Sequence, residues 1–424
     1  AGDDECAKKC EKYIRKWYGQ RLSQCKALVT VLASIESTLA LQILLSLANR
    51  FRTKGIKDLA REYVDAIADS QGWTLDELAD RTVPDGGFAR PLDENDEPIE
   101  GSEAVLELDF GPRQFLVKLD DRLNPVLTNK EDGKVLKNLP SPGKNDDEEK
   151  AKEAKKEFSD AKKIVKEMVK RQTERLYEAM CTQRTWTFRD WKLYLAEHPI
   201  VGRLCTRLIW AAREKTDEEG AEGMLLCTFR LLEDGSLTDS SDEAVELKDD
   251  NLISLVHSCK LDAETEAAWK KHLEDYDVQP LFNQLDRPVY KLAEGKEPQF
   301  DVVDFVGHML TVFKLRTRAT KLGYTRGAAE DGGCFYHYHK PFQSLGIQAV
   351  IDFSGSMLPE EDGPCALKEL SFTALSEGGY SWMPAKIDLD SVPPVLLAEC
   401  YNDIKQIAAE GSGYKENWEN SCLF

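Results

Sequence analysis

The first eighty positions carry a helical rhythm. In 57-KDLAREYVDAIADSQG-72, Leu59, Tyr63 and Ile67 recur on every fourth residue, the stripe that a helix buries against its neighbours. Upstream, 28-LVTVLASIESTLALQILLSLANRF-51 is the longest apolar stretch, broken by Ser34, Glu36, Ser37 and Thr38. A bilayer span needs roughly 20 mostly apolar residues, so this stretch predicts one or two buried helices. Thr74 with Glu77 three residues later has the form of a capping box, and Pro84, Gly86 and Gly87 predict a turn.

The rhythm then changes to a period of two. Leu106, Leu108 and Phe110 alternate with Glu107 and Asp109, and the turn-like 110-FGPR-113 leads into Gln114–Lys118, predicting an antiparallel hairpin. The charged 141-SPGKNDDEEKAKEAKK-156 links this section to a long helix reaching Met180, with Phe158, Ile164, Val165, Met168 and Val169 as its apolar face. Residues 186–215 read as two helices parted at His198-Pro199, the second carrying Val201, Leu204, Cys205, Leu208 and Ile209. Strands are expected over 224–262 with a turn at Asp234-Gly235, and a helix over 262–276. Further on, helices are expected over 302–323 and 394–409, with β pieces at 334–339 and 346–353. The fold class is therefore α+β, in five sections. These are a helical N-terminal section (1–80), a small β-containing section (81–140), a charged linker and helical section (141–222), a mixed α+β C-terminal domain (223–410) and a tail (411–424).

Composition narrows the function classes. The 424 residues hold 76 acidic against 56 basic side chains, a net charge of −20. Such a field disfavours nucleic acid and anionic membranes and favours a protein partner with a basic surface. Arg203, Arg207 and Arg213 form only a modest basic component, suited to salt pairs. Eleven scattered cysteines point to free thiols in a reducing compartment, and the absence of a legible signal layout predicts a cytoplasmic location. Cys6, Cys10 and Cys25 read as thiols packed between helices.

Several separated phrases are more specific together than alone: 132-DGKVLKNLP-140, 229-FRLLEDGSL-237, 273-LEDYDVQPLFNQLDRPVY-290, 323-GYTRGAAEDGG-333 and 392-VPPVLLAECYNDI-404. In this order they resemble the domain-of-unknown-function family 4132, over about residues 58–408. The resemblance implies kinship with bacterial proteins similar to the molybdate metabolism regulator, and it brings no reaction with it. Family members can carry a WGR module, a type associated with nucleic-acid and ADP-ribosylation systems; no such segment is legible in this chain.

Candidate chemistry centres on two short phrases. In 257-HSC-259 and 337-HYH-339 the spacing of two places each pair on one strand face, so His257, Cys259, His337 and His339 would make a three-histidine, one-cysteine site suited to zinc if the pairs met. Cys334, His337 or His339, and Asp331 outline a nucleophile, base and orienting carboxylate, although Cys334 and His337 face opposite ways on a straight strand. Glu274 and Asp277 form a carboxylate pair across a helical turn, and Asp286 with Arg287 precedes Pro288 as turn support or a ligand contact. Trp269, Tyr276, Arg287 and Tyr290 are the candidate partner-binding residues. The leading expectation is a noncatalytic interaction or regulatory module. The alternatives are a metal-assisted hydrolase near the C-terminal histidines and a nucleic-acid-associated regulator.

Overall fold

The computed structural model describes residues 4–422 except 19, 36, 51–52, 91–101, 217–221, 291, 293–296 and 376–384, and leaves the side chains at 4, 38, 42, 45, 46, 49, 50, 54, 75 and 331 undescribed. The chain divides into two compact units. The first comprises Ala1–Thr173, Arg189–Thr206 and Leu232–Ser236, and the second Glu174–Phe188, Arg207–Leu231 and Leu237–Phe424. The protein is α+β, and every strand pairing among the described residues is antiparallel. Among those residues no helix is long and apolar enough to cross a membrane.

The first unit begins with α1 (Asp4–Trp17), α2 (Leu22–Ala33), α3 (Thr38–Arg50), α4 (Lys54–Gln71) and α5 (Leu75–Asp80). Their core contains Ile14, Cys25, Val29, Leu32, Leu44, Leu47, Ile56, Ala60 and Val64. On α4 the fully buried stripe is Ile56, Ala60, Val64 and Ala68, while Leu59, Tyr63 and Ile67 flank it half-buried. The small alanines let the backbones approach, and the larger side chains close over the seam. Thr74 and Glu77 cap α5 reciprocally: the Thr74 N–H donates to Glu77 Oε2 at 2.7 Å, and the Glu77 N–H donates to Thr74 Oγ1 at 3.2 Å.

Strands β1 (Leu106–Asp109), β2 (Gln114–Leu119), β3 (Pro125–Asn129) and β4 (Val135–Leu136) form a meander in that order. The alternation is realised: Leu106 and Leu108 face inward with Phe115, Val117 and Leu119. Helix α6 (Glu148–Cys181) buries Ala151, Ala154, Phe158, Ala161, Val165 and Met168. A short α7 (Phe188–Trp191) and a π-helical turn follow, then α8 (Val201–Cys205). His198 Nδ1 accepts the N–H groups of Ile200 and Val201, both at 3.1 Å, which fixes where α8 begins.

The second helix expected within 186–215 does not form as expected. Only one turn is helical; Ile209–Arg213 is β6, and Ile209–Ala212 are all buried because this strand sits between two others. A strand covered on both faces loses the period of two that would have identified it.

In the second unit, β5 (Thr185–Thr187), β6, β7 (Leu225–Leu231), β8 (Leu237–Thr238) and β9 (Leu252–Leu255) pair in the order β5-β9-β6-β7-β8. Helix α9 (Ala263–Asp275) starts at Asp262, whose Oδ1 accepts the Thr265 N–H at 2.8 Å. A larger sheet follows from β10 (Asp301–Val302), β11 (His308–Thr311), β12 (Thr325–Arg326), β13 (Cys334–Phe342), β14 (Ile347–Met357), β15 (Pro364–Ala374) and β16 (Gly413–Tyr414). Helices α10 (Val312–Lys321) and α11 (Pro394–Ala408) contribute Leu315, Ala319, Leu396, Ile404 and Ile407 to its core, against Phe335, Tyr338, Ile351, Phe353, Leu370 and Phe372. The helix expected over 302–323 is thus half right: α10 fills its second half, and β10 and β11 lie in the first.

Candidate functional site

Helix α11 is buried along almost its whole length, yet it carries Glu399, Asn402 and Asp403 at positions i, i+3 and i+4. Glu399 and Asp403 are each 1% exposed. Ionised groups survive such burial only when paired and hydrogen-bonded, so their partners define the interior of the second unit.

Glu399 is met from three sides. Arg287 grips it as a fork, Nε to Oε1 and Nη2 to Oε2, both at 2.6 Å. The Tyr177 hydroxyl donates to Oε2, and His257 Nε2 lies 3.1 Å from Oε1. Burial alone would push this carboxyl up, but the hydrogen bonds from His257 and Arg287 and the guanidinium charge outweigh it and hold it at about 2. Asn402 Nδ2 donates to the Pro288 carbonyl at 3.2 Å, tying the same helix to the residue after Arg287. Two of the phrases that carry the family resemblance, 273–290 and 392–404, therefore meet at this pair.

One turn along, Lys340 of β13 pairs with Asp403 at 3.0 Å, under the rings of Tyr177, Tyr324 and Phe342 at 5.4–5.6 Å. Burial would lower the ammonium, but Asp403 outweighs it and holds Lys340 at about 12. Two carboxylates face two cations, so the cluster is formally neutral.

His257 links this interior to Cys259. Its Nδ1 accepts the Cys259 backbone N–H at 3.2 Å, so Nε2 carries the proton that is donated to Glu399. Cys259 Sγ is 3.0 Å from the same Nδ1, which completes a thiol, imidazole and carboxylate in line. Such an order can run nucleophilic catalysis when the thiolate forms readily. Here burial pushes the Cys259 thiol up to about 11, and Glu399 is already held by Arg287.

The second histidine pair sits elsewhere. His337 and His339 are neighbours on β13, with ring centroids 6.1 Å apart, and a register shift falls between Phe335 and His337. Gly327 makes room for His337: a Cβ there would lie 2.3 Å from Nε2. Burial, with His339 beside it, lowers His337, and burial lowers His339, so both rings favour the neutral form. His339 Nε2 contacts Thr325 Oγ1 at 3.1 Å. Among the described residues no group of three or more His, Cys, Asp and Glu side chains is placed to hold a metal, so the pairs 257/259 and 337/339 are not brought together as zinc ligands. Cys334 is half-buried at the start of β13, and the Asp331 side chain lies outside the described residues.

The remaining candidates divide by exposure. Trp269 is fully buried, donating Nε1–H to Thr228 Oγ1 at 2.8 Å, and is thus a core residue. Arg287 is committed to Glu399. Tyr276 is exposed, with its hydroxyl on Asp242 at 2.9 Å, and Tyr290 is half-buried against Tyr401 at 5.0 Å. Glu274 and Asp277 are exposed, and Asp286 pairs with Lys270. Arg203, Arg207 and Arg213 are each engaged, by Glu103, the Gln279 carbonyl, and the Gly223 carbonyl with Glu222 respectively.

One surface feature escaped the sequence reading. Met224, Leu225 and Leu226 are consecutive and exposed at 64%, 42% and 41%, at the start of β7. On one side β7 pairs with β6 at Leu225 and from Cys227 to Arg230, with a bulge at Leu226; on the other, β8 reaches only Arg230 and Leu231.

Residues 133–324 match the model of a domain of unknown function family, DUF4132. Over 327 residues, 76% of this chain, the sequence is 28% identical to the uncharacterized protein YehI of Escherichia coli (strain K12). The match covers 26% of that protein, so the chain spans about a quarter of the length of its curated relative. No solved structure matches the chain.

Proposed function

We propose that the chain is a noncatalytic protein-interaction module of the cytoplasm, with its docking surface at the outer side of β7. The observation that carries this reading is the run of three exposed apolar residues, Met224–Leu226, at the entry to β7, whose outer side has no strand before Arg230 among the described residues. An exposed apolar strand edge pairs with another chain unless it is blunted; these positions carry no charge, proline or covering strand among the described residues, and the bulge at Leu226 limits regular pairing to the stretch from Cys227 onward. The resemblance to proteins similar to the molybdate metabolism regulator extends the reading to a regulatory role. A photo-crosslinking side chain at Leu226 tests it in cells of the source organism. A discrete adduct, lost on Leu225→Glu and not formed from the exposed α11 position Lys405, is the expected result; no adduct above that control would refute it.

A second reading, a cysteine hydrolase, is favoured by the in-line Cys259, His257 and Glu399. The elevated thiol opposes it, and the rate of Cys259 alkylation at neutral pH decides between them.

A further inference from the structure

We propose that the open side of β7 receives an extended segment of a partner protein as an added strand, and that this segment alternates apolar with basic residues. The inference rests on the interaction reading above and specifies how the partner is held and what it is made of.

The edge is open for a local reason. After Leu237 and Thr238 the chain is folded back by Asp239, whose Oδ1 accepts the N–H groups of Ser241 at 2.7 Å and Glu243 at 3.0 Å. Asp242 sits in the left-handed region at φ 65°, and Thr238 bridges Ala244. The turn ends β8 after two residues. Leu225–Thr228 are left with no strand on the side away from β6 among the described residues.

Main-chain groups there are aimed outward. The Leu232 N–H donates to the Ser236 carbonyl at 2.9 Å, which sets the phase of the ladder. By the two-residue alternation of antiparallel pairing, the N–H and C=O of Thr228 face the same side as those of Leu232, toward the gap beyond β8. An incoming strand continues the line that β8 abandons, its main chain pairing at Thr228 and its apolar side chains covering Met224, Leu225 and Leu226.

Charge selects the occupant. Asp239, Asp242 and Glu243 crowd the turn at one end of the gap, and Asp239 is close enough to Cys227 to add to the effect of burial in raising that thiol. At the other end Lys260 and Arg213 are already held by Glu222, at 2.6 and 3.5 Å. A second copy of this chain would bring the same acidic turn to the same edge, whereas lysine or arginine side chains from a different protein would meet it favourably.

The test uses the purified chain and short labelled peptides read by fluorescence anisotropy: alternating valine and lysine, the same with glutamate for lysine, and the lysine peptide interrupted by proline. Saturable binding of the first alone, weakened by salt, is expected. Thr228→Pro removes the outward donor and is expected to weaken binding about tenfold, with circular dichroism confirming the fold; because it also removes the Oγ1 that accepts the Trp269 Nε1–H, Thr228→Val, which loses that acceptor but keeps the N–H, is expected to leave binding unchanged. Equal binding of the proline-interrupted peptide, or unchanged binding by Thr228→Pro, overturns strand addition. A concentration-dependent dimer abolished by Thr228→Pro also overturns it, by making a second copy the occupant. A Leu226 adduct that survives Thr228→Pro would sink strand addition while leaving the interaction module standing; absence of any adduct removes both.

Discussion

Arg287→Ala removes the cation from a carboxylate that has no water to turn to. Glu399 is 1% exposed and accepts two hydrogen bonds from Arg287, both at 2.6 Å, beside those of His257 and Tyr177. The fall from an ordinary 4.5 to about 2 corresponds, at about 1.4 kcal/mol per pH unit, to about 3 kcal/mol of folded-state stabilisation. That figure sums His257, Arg287 and Tyr177 against the cost of burial; breaking a buried pair by deleting one partner costs about 3–5 kcal/mol, so Arg287→Ala is expected to cost about 3 kcal/mol. Urea unfolding at neutral pH, followed by tryptophan fluorescence, measures it. The pH dependence supplies a second reading with a definite sign. Because the folded value lies below the unfolded one, the contribution is complete above about pH 5 and is lost as pH falls from there through about 2. Arg287→Ala is therefore expected to flatten that acid limb as well as lower the plateau. Arg287→Lys keeps the charge without the fork and is expected to fall between the two. A loss under about 1 kcal/mol with an unchanged acid limb would refute the assignment of this pair as the centre of the second unit's interior.

Other perturbations follow from single contacts. Gly202→Ala would set a Cβ 2.2 Å from the Ala196 carbonyl oxygen, with an expected loss of about 1–3 kcal/mol read by thermal melting. Thr74→Ala abolishes half of the α5 capping box and is expected to cost about 1 kcal/mol by the same measurement. Cys259, held up to about 11, is expected to react with iodoacetamide at neutral pH about a hundredfold more slowly than an ordinary exposed thiol, as followed by peptide mass spectrometry. Rapid alkylation there would instead favour the hydrolase reading.

What was legible in the sequence was whatever a single element announces by itself. The box at Thr74 and Glu77, the alternation of β1 against β2 and the helix α9 are all local and appear where expected, and the period of α4 does too, although its buried stripe is Ile56, Ala60, Val64 and Ala68, one position along from Leu59, Tyr63 and Ile67. Ile209–Ala212 failed because a strand buried on both faces has no alternation, and 302–311 failed because short strands joined directly to α10 blend into its apolar pattern. The site was harder for a different reason. His337 and His339 drew attention by being adjacent in sequence, while His257 and Glu399 are 142 residues apart and share a hydrogen bond. A signal did exist: Glu399, Asn402 and Asp403 stand on one stripe of α11 among buried apolar residues, and a polar stripe on a buried helix requires partners. Which partners, and that Tyr177 and Lys340 are among them, depends on how distant strands and helices pack. The β7 edge was hidden similarly: strands were expected over 224–262, but which edge stays open depends on the Asp239 turn that stops β8.

The measurement that bears most directly on the central claim is amide hydrogen exchange along β7, with and without the partner recovered from the Leu226 cross-link. Slowed exchange is expected at the outward-facing amide of Thr228 when the partner is present, with the amide of Cys227, which faces β6, little changed. Unaltered exchange at Thr228 together with protection of another surface would contradict it.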